Sequence, residues 1–135
     1  MKWTICYLAI FVCMVALDLL WLRVIAVQWY ADNMGALLTN SPNLFAAAAF
    51  YCLFPLGILI FAVAPGENSS VLKVAVMGAL FGFFAYATYD LTGLAIIKNW
   101  PLGLTFVDMA WGTLVSGASA AAGKMARVAI ENAGA

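Results

Sequence analysis

The sequence contains no histidine among its 135 residues. That excludes imidazole-ligated zinc or haem, and the Ser–His and Cys–His pairs used for nucleophilic catalysis. Charge is also scarce: charged residues make up 9% of the chain, where a soluble domain carries about 25%. Six basic and six acidic side chains balance to zero, so no polybasic surface is available for nucleic acid or anionic lipid. Cysteine is limited to Cys6, Cys13 and Cys52, all in apolar runs and none in a CxxC pair. Small buried hydrophobes are the expected role for such cysteines. No redox or nucleotide motif occurs, and no cofactor is expected.

What is abundant is apolar surface. Hydrophobic residues make up 67% of the chain, and lipid is the solvent that such an excess can face. A membrane-crossing helix needs about 20 mostly apolar residues, and four segments qualify, at about 3–24, 44–64, 71–91 (or on to Ile97) and 102–122. The first follows a single lysine, as a signal peptide would, but lacks a small-x-small cleavage site and is read as a retained helix. The expectation is one all-α domain over 1–135, an integral membrane four-helix bundle. The longest polar stretch, QWYADNMGALLTNSPN, separates the first two spans, and its Ser41-Pro42 fits a helix start. GENSS at 66–70 and KNWP at 98–101 read as short turns, with Pro101 suited to a first helical turn.

Lys2, Lys73, Lys124 and Arg127 fall on one side of these spans, and Arg23 and Lys98 on the other. That bias places both termini in the cytoplasm. Asp18 then lies about 15 residues up the first span, a climb of about 22 Å at 1.5 Å per residue. Asp90 lies about 19 residues along the third span, which runs the same way, and Asp108 about 6 residues into the descending fourth. All three aspartates are therefore expected at one level, in the outer third of the membrane, whichever way the chain is inserted.

Helical spacing gives each an inward face. Gly78, Gly82, Tyr86 and Asp90 recur every four residues, and Gly78 with Gly82 forms a GxxxG motif that lets a second backbone approach. Asp108, Gly112, Ser116 and Ala120 repeat the pattern, with Ser119 and Gly123 close by. In the first span Tyr7, Phe11, Met14, Asp18 and Trp21 follow the spacing of a packed seam. Trp21, Trp29, Tyr30, Tyr86, Tyr89, Trp100 and Trp111 gather at the acidic end, and Trp3 lies at the other. An interfacial belt accounts for Trp3, Trp29, Tyr30 and Trp100. Trp111 and Tyr86 lie deeper and read as walls or hydrogen-bond partners of an acidic pocket.

An ionised aspartate at mid-membrane costs about 2.5–3.5 kcal/mol. Protonation relieves that cost, as does pairing with Arg23 and Lys98, or binding a hard cation at Asp18, Asp90 and Asp108. Three readings stay open. The aspartates anchor helix ends, with Asp90 near a frayed end at Thr92-Gly93; or they line a pocket for a lipid headgroup, substrate or ion; or they belong to a proton or ion path. The inner half offers little polarity beyond Thr4, Tyr7 and Ser119, which argues against a channel in one subunit.

The runs FYCLFPLGILIFAVAPG and GALFGFFAYATYDLTGLAIIKNWPLGLTFVDMAWG, with DLLWL and NMGALL before them, carry a resemblance. From about Tyr7 to Ser119 the chain resembles domain of unknown function 2177, a family of small predicted bacterial membrane proteins. The resemblance implies four membrane helices and an inner-membrane location, and associates the chain with lipid-modifying enzymes such as cyclopropane-type fatty acyl methyltransferases. It points to Asp18, Trp21, Tyr86, Tyr89, Asp90, Asn99, Trp100, Asp108 and Trp111. The expected function is therefore a small inner-membrane protein with an acidic, aromatic-lined site near the outer leaflet, acting in lipid modification or lipid stress. The candidate catalytic groups are Asp90, Asp108, Tyr86 and Tyr89. The candidate ligand-binding groups are Asp18, Trp21, Asn99, Trp100 and Trp111. Gly78, Gly82, Gly112 and Ser116 are expected to pack helices. Partners are membrane lipid and either further copies of the chain or other membrane proteins, with no nucleic acid. An accessory subunit of a larger complex and an oligomeric proton or cation carrier are the alternatives.

Overall fold

The computed structural model describes residues 2–21, 23 and 43–134, and among them every regular element is helical. Helix α1 is Lys2–Leu20; α2 is Leu44–Ile58, continued by a wider π-helical turn at Leu59–Val63; α3 is Val71–Ile96; α4 is Leu102–Asn132. The Asn43 side chain accepts from the Ala46 N–H at 3.1 Å and starts α2. The expected start at Ser41-Pro42 lies outside the described residues, as do Trp29 and Tyr30. Ser70 caps α3 in the same way, accepting from the Lys73 N–H at 3.1 Å. Both side chains satisfy amide groups that have no partner within the helix.

Pro55 lies inside α2 and has no N–H to give the ladder. The helix tolerates it and then widens, with the Ala64 N–H reaching back to Leu59 O at 2.8 Å. Tyr7 of α1 donates its hydroxyl to Cys52 O at 2.7 Å, three residues before the proline. Such outside donors are one way membrane helices accommodate proline.

Helices α1, α2 with its π turn, and α3 are each long and apolar enough to cross a membrane. Their outer surface is apolar: Phe45 is 91% exposed, Phe61 59% and Phe84 64%. Helix α4 is less apolar because it packs extensively against both α3 and α1, so much of its surface meets protein rather than lipid. Its buried face is built of Gly112, Ser116, Ser119, Ala120 and Gly123. A Cβ on Gly78 would meet Ala120 Cβ and the Ser116 carbonyl, and one on Gly82 would meet Ser116 Oγ and the Gly112 carbonyl. The GxxxG pair thus seats α3 against α4.

The structure decides or corrects three boundaries and faces. Helix α3 continues through Thr92-Gly93 to Ile96, so Asp90 sits well inside it rather than at a frayed end. Helix α4 runs ten residues past 122, because GKMARVAIEN loses apolarity but keeps good helix formers. The buried stripe of α1 is Cys6, Ile10, Met14 and Asp18, every fourth residue, with Tyr7 and Phe11 beside it and half-buried. The cysteines also divide: Cys6 is buried, Cys13 intermediate, and Cys52 exposed on the outer face of α2.

The end of the bundle near the N-terminus is closed by charge. Glu67 in the α2–α3 turn pairs with Lys2 at 3.3 Å and with Arg127. Lys124 donates to Gly66 O at 3.1 Å and Glu67 O at 2.6 Å. Arg127 lies over the Trp3 ring, 4.8 Å from its centroid. Glu131 Oε1 stands 2.9 Å from Arg127 Nε, yet Nε and Nη1 make no hydrogen bond, so that contact is an ion pair out of line with the N–H. Hydrogen bonds from Arg127 and Lys2 hold the Glu67 carboxyl below the usual carboxylate range, and Glu67 in turn raises Arg127.

Candidate functional site

The acidic groups meet at the other end. Asp18 and Asp90 are buried, 7% and 1% exposed, although each sits on a membrane helix. The Trp111 indole N–H donates to Asp18 Oδ1 at 2.9 Å, linking α4 to α1. Tyr51 of α2 is a second hydrogen-bond partner of Asp18, and Asp108 is its acidic neighbour. Asp108 is also the hydrogen-bond partner of Asp90 across the α3–α4 contact. Two carboxyl groups share a hydrogen bond only while one of them carries a proton. The three aspartates thus form a chain, Asp18 to Asp108 to Asp90, with Asp108 in the middle.

Neither Arg23 nor Lys98 is among the partners of Asp18 or Asp90. The expected pairing with those cations is therefore not how these two carboxyls are held. Among the described residues no group of three acidic or sulfur ligands could hold one metal ion, so Asp18, Asp90 and Asp108 do not converge as a hard-cation site. The reason is the chain-like arrangement: Trp111 and Tyr51 turn Asp18 toward themselves.

Aromatic rings wall this cluster. Trp21 and Trp111 stack with centroids 4.5 Å apart and planes 11° from parallel. Phe50, Tyr51 and Tyr86 complete a pocket of about 160 Å³ with Asp18, Asp108 and the two tryptophans. A larger cavity of about 470 Å³ adjoins it, lined by Phe50, Phe54, Ala85, Tyr86, Tyr89 and Asp108. Phe50, Tyr86 and Asp108 belong to both walls. Tyr86 reaches this position because α4 has glycine at 112: a Cβ there would collide with the Tyr86 ring.

Asn99 and Trp100 sit at the α3–α4 turn. Asn99 is exposed and has φ +62°, a left-handed conformation that asparagine tolerates, so its evident task is to reverse the chain. The reversal lays Trp100 onto Gly93, where a Cβ would stand 2.9 Å from indole carbons. Trp100 also meets Tyr89 edge-on with centroids 5.5 Å apart.

All four candidate catalytic residues and Asp18, Trp21 and Trp111 are thereby brought to one end of the bundle, Trp100 stands beside them, and Gly78, Gly82, Gly112 and Ser116 form the helix contact beneath. Sequence reasoning missed Phe50, Tyr51 and Phe54. They lie in LFAAAAFYCLFPLGI, an apolar run with no polar face, so spacing gives no sign of which side turns inward. It also missed the Glu67, Lys124 and Arg127 cluster at the far end.

A family model described as a predicted membrane protein, DUF2177, matches residues 3–125. The chain belongs to this family. No curated protein and no solved structure matches it. Membership agrees with the fold: this DUF2177 protein is a helical membrane protein whose apolar helices enclose a buried acidic cluster.

Proposed function

We propose that this DUF2177 protein binds a membrane lipid or lipid-derived molecule at the acidic end of its bundle, as a bacterial inner-membrane protein acting in lipid modification or lipid stress. With both termini cytoplasmic, that end lies under the outer leaflet. The observation that carries the reading is the cavity of about 470 Å³, whose wall combines Phe50, Phe54, Ala85 and two tyrosines with the carboxyl of Asp108. Its volume falls within the range of small-molecule sites, about 300–1,000 Å³. An apolar wall with a carboxyl at one side suits a molecule with an acyl chain and a polar head. If chemistry follows binding, the Asp90–Asp108 pair is the place where a proton moves, with Tyr86 and Tyr89 alongside.

The test is mass spectrometry of lipids from cells with and without the protein, complemented by wild type, Asp90→Asn or Asp108→Asn. A lipid species that disappears with the protein and returns only with wild type supports the reading. An unchanged lipid profile, or full restoration by both variants at normal abundance, overturns it.

One observation favours the accessory-subunit reading. A shallow groove lined by Ala75, Val76, Ala79, Gly117, Ala118 and neighbours runs along the outer side of the α3–α4 contact. Small residues of this kind let another membrane helix pack closely. A partner that copurifies with wild type and is lost on Ala79→Leu would support it. A cation carrier is less well served, because Lys124 and Arg127 occupy the far end of the bundle.

A further inference from the structure

Among the described residues, two buried polar atoms at the acidic end have no hydrogen-bond partner: Asp90 Oδ2 and the indole Nε1 of Trp100. They flank the same glycine. Asp90 is one helical turn before Gly93 and on the same face of α3, and the Trp100 indole rests directly on Gly93. One atom is a donor only, and the other belongs to a carboxyl. Burying either without a partner is costly, so a donor and an acceptor left open in one corner are complementary to a group that both accepts and donates.

The corner adjoins the large cavity. Tyr89, in edge contact with Trp100, and Asp108, hydrogen-bonded to Asp90, are both on the cavity wall. Tyr89 is 60% exposed and stands between the corner and the cavity. Resting on the lipid-site reading above, we propose that this corner receives the head of the bound lipid and that the head is a neutral hydroxyl. A hydroxyl accepts from the Trp100 N–H and donates to Asp90 Oδ2, and it serves equally if Asp90 carries the proton and donates instead. A quaternary ammonium has neither a lone pair for the indole nor a proton for the carboxyl. A phosphodiester has no proton to give a carboxylate, and any phosphate anion meets two carboxyl groups.

The test uses the full chain in phosphatidylcholine nanodiscs. Binding of hexadecanol, hexadecyl methyl ether and hexadecyltrimethylammonium is followed by native mass spectrometry, with glycerol as the chainless control. Hexadecanol should bind roughly fivefold or more tighter than its methyl ether, the worth of about one hydrogen bond. Asp90→Asn should shrink that ratio toward one, and Trp100→Phe should weaken alcohol and ether alike, because an ether oxygen also accepts from the indole N–H. Equal binding of alcohol and ether by wild type overturns the hydroxyl assignment and leaves the lipid cavity standing; water or a direct Trp100–Asp90 bond then serves both atoms. Tighter binding of the ammonium, a ratio unaltered by Asp90→Asn, an alcohol affinity unaltered by Trp100→Phe, or competition by glycerol alone overturns it as well. If none of the three chains binds, the lipid-site reading falls and the hydroxyl assignment with it.

Discussion

Gly82→Ala tests the central helix contact. The added methyl would meet Ser116 Oγ and Cβ and, behind them, the Gly112 carbonyl. A serine side chain can rotate, but a helix backbone carbonyl yields only if α3 and α4 move apart. Overpacking of this kind costs about 1–3 kcal/mol, or roughly 5- to 150-fold in the unfolding equilibrium. The assay is unfolding in mixed micelles of rising SDS content, followed by circular dichroism. Two comparisons isolate the cause. Gly103→Ala on the same bundle meets nothing within 4 Å and should be neutral or slightly stabilising. Ser116→Gly in the Gly82→Ala background should recover part of the loss, because it removes the side-chain clash and leaves the carbonyl. If Gly82→Ala unfolds at the same SDS fraction as wild type, or if Gly103→Ala costs as much, the close-approach argument is refuted.

Three further outcomes follow from named contacts. Trp111→Phe deletes the donor to Asp18 and should destabilise by about 0.6–1.7 kcal/mol, from the average to the largest value for hydrogen bonds between membrane helices. A double-mutant cycle with Asp18→Asn should show coupling, and additive losses would sink the bond's importance. Glu67 titrates below its ordinary value of about 4.3, so its contribution is complete above that pH and is lost as pH falls through the lower, folded value. Wild type should therefore lose more stability between pH 5 and pH 3 than Glu67→Gln does, and identical pH profiles would refute it. Tyr7→Phe removes the donor to the Cys52 carbonyl, and faster hydrogen exchange around Pro55 than in wild type is the expected result; unchanged exchange there would show that the helix holds the proline unaided.

The spans were legible because membrane helices need long apolar runs, and the depth of each aspartate followed from helical rise alone. Depth is nevertheless only one coordinate. Which neighbour a residue meets depends on helix rotation, and that is readable where polar or small residues mark a face, as in α3 and α4. Helix α2 has no such marks, so Tyr51 as a partner of Asp18 was invisible. The charged cluster at the other end was hidden differently. GENSS reads as punctuation, and nothing local announces that Glu67 meets residues 60 positions later. The role of Asn99 was readable only once its left-handed backbone was known.

The position of α4 has a consequence for biogenesis. It leaves the ribosome after α1, α2 and α3, and it carries Trp111 for Asp18 and Asp108 for Asp90. The first three helices therefore enter the bilayer before these acidic groups have their α4 partners. Until α4 arrives, α1 and α3 also lack their most extensive packing surface. A chain cut before residue 102 would expose two acidic helices to lipid, which is the kind of unfinished membrane segment that insertion chaperones hold and membrane proteases remove. Docking of α4 is thus coupled to satisfying the acidic interior, and the carboxyls report whether that helix is in place.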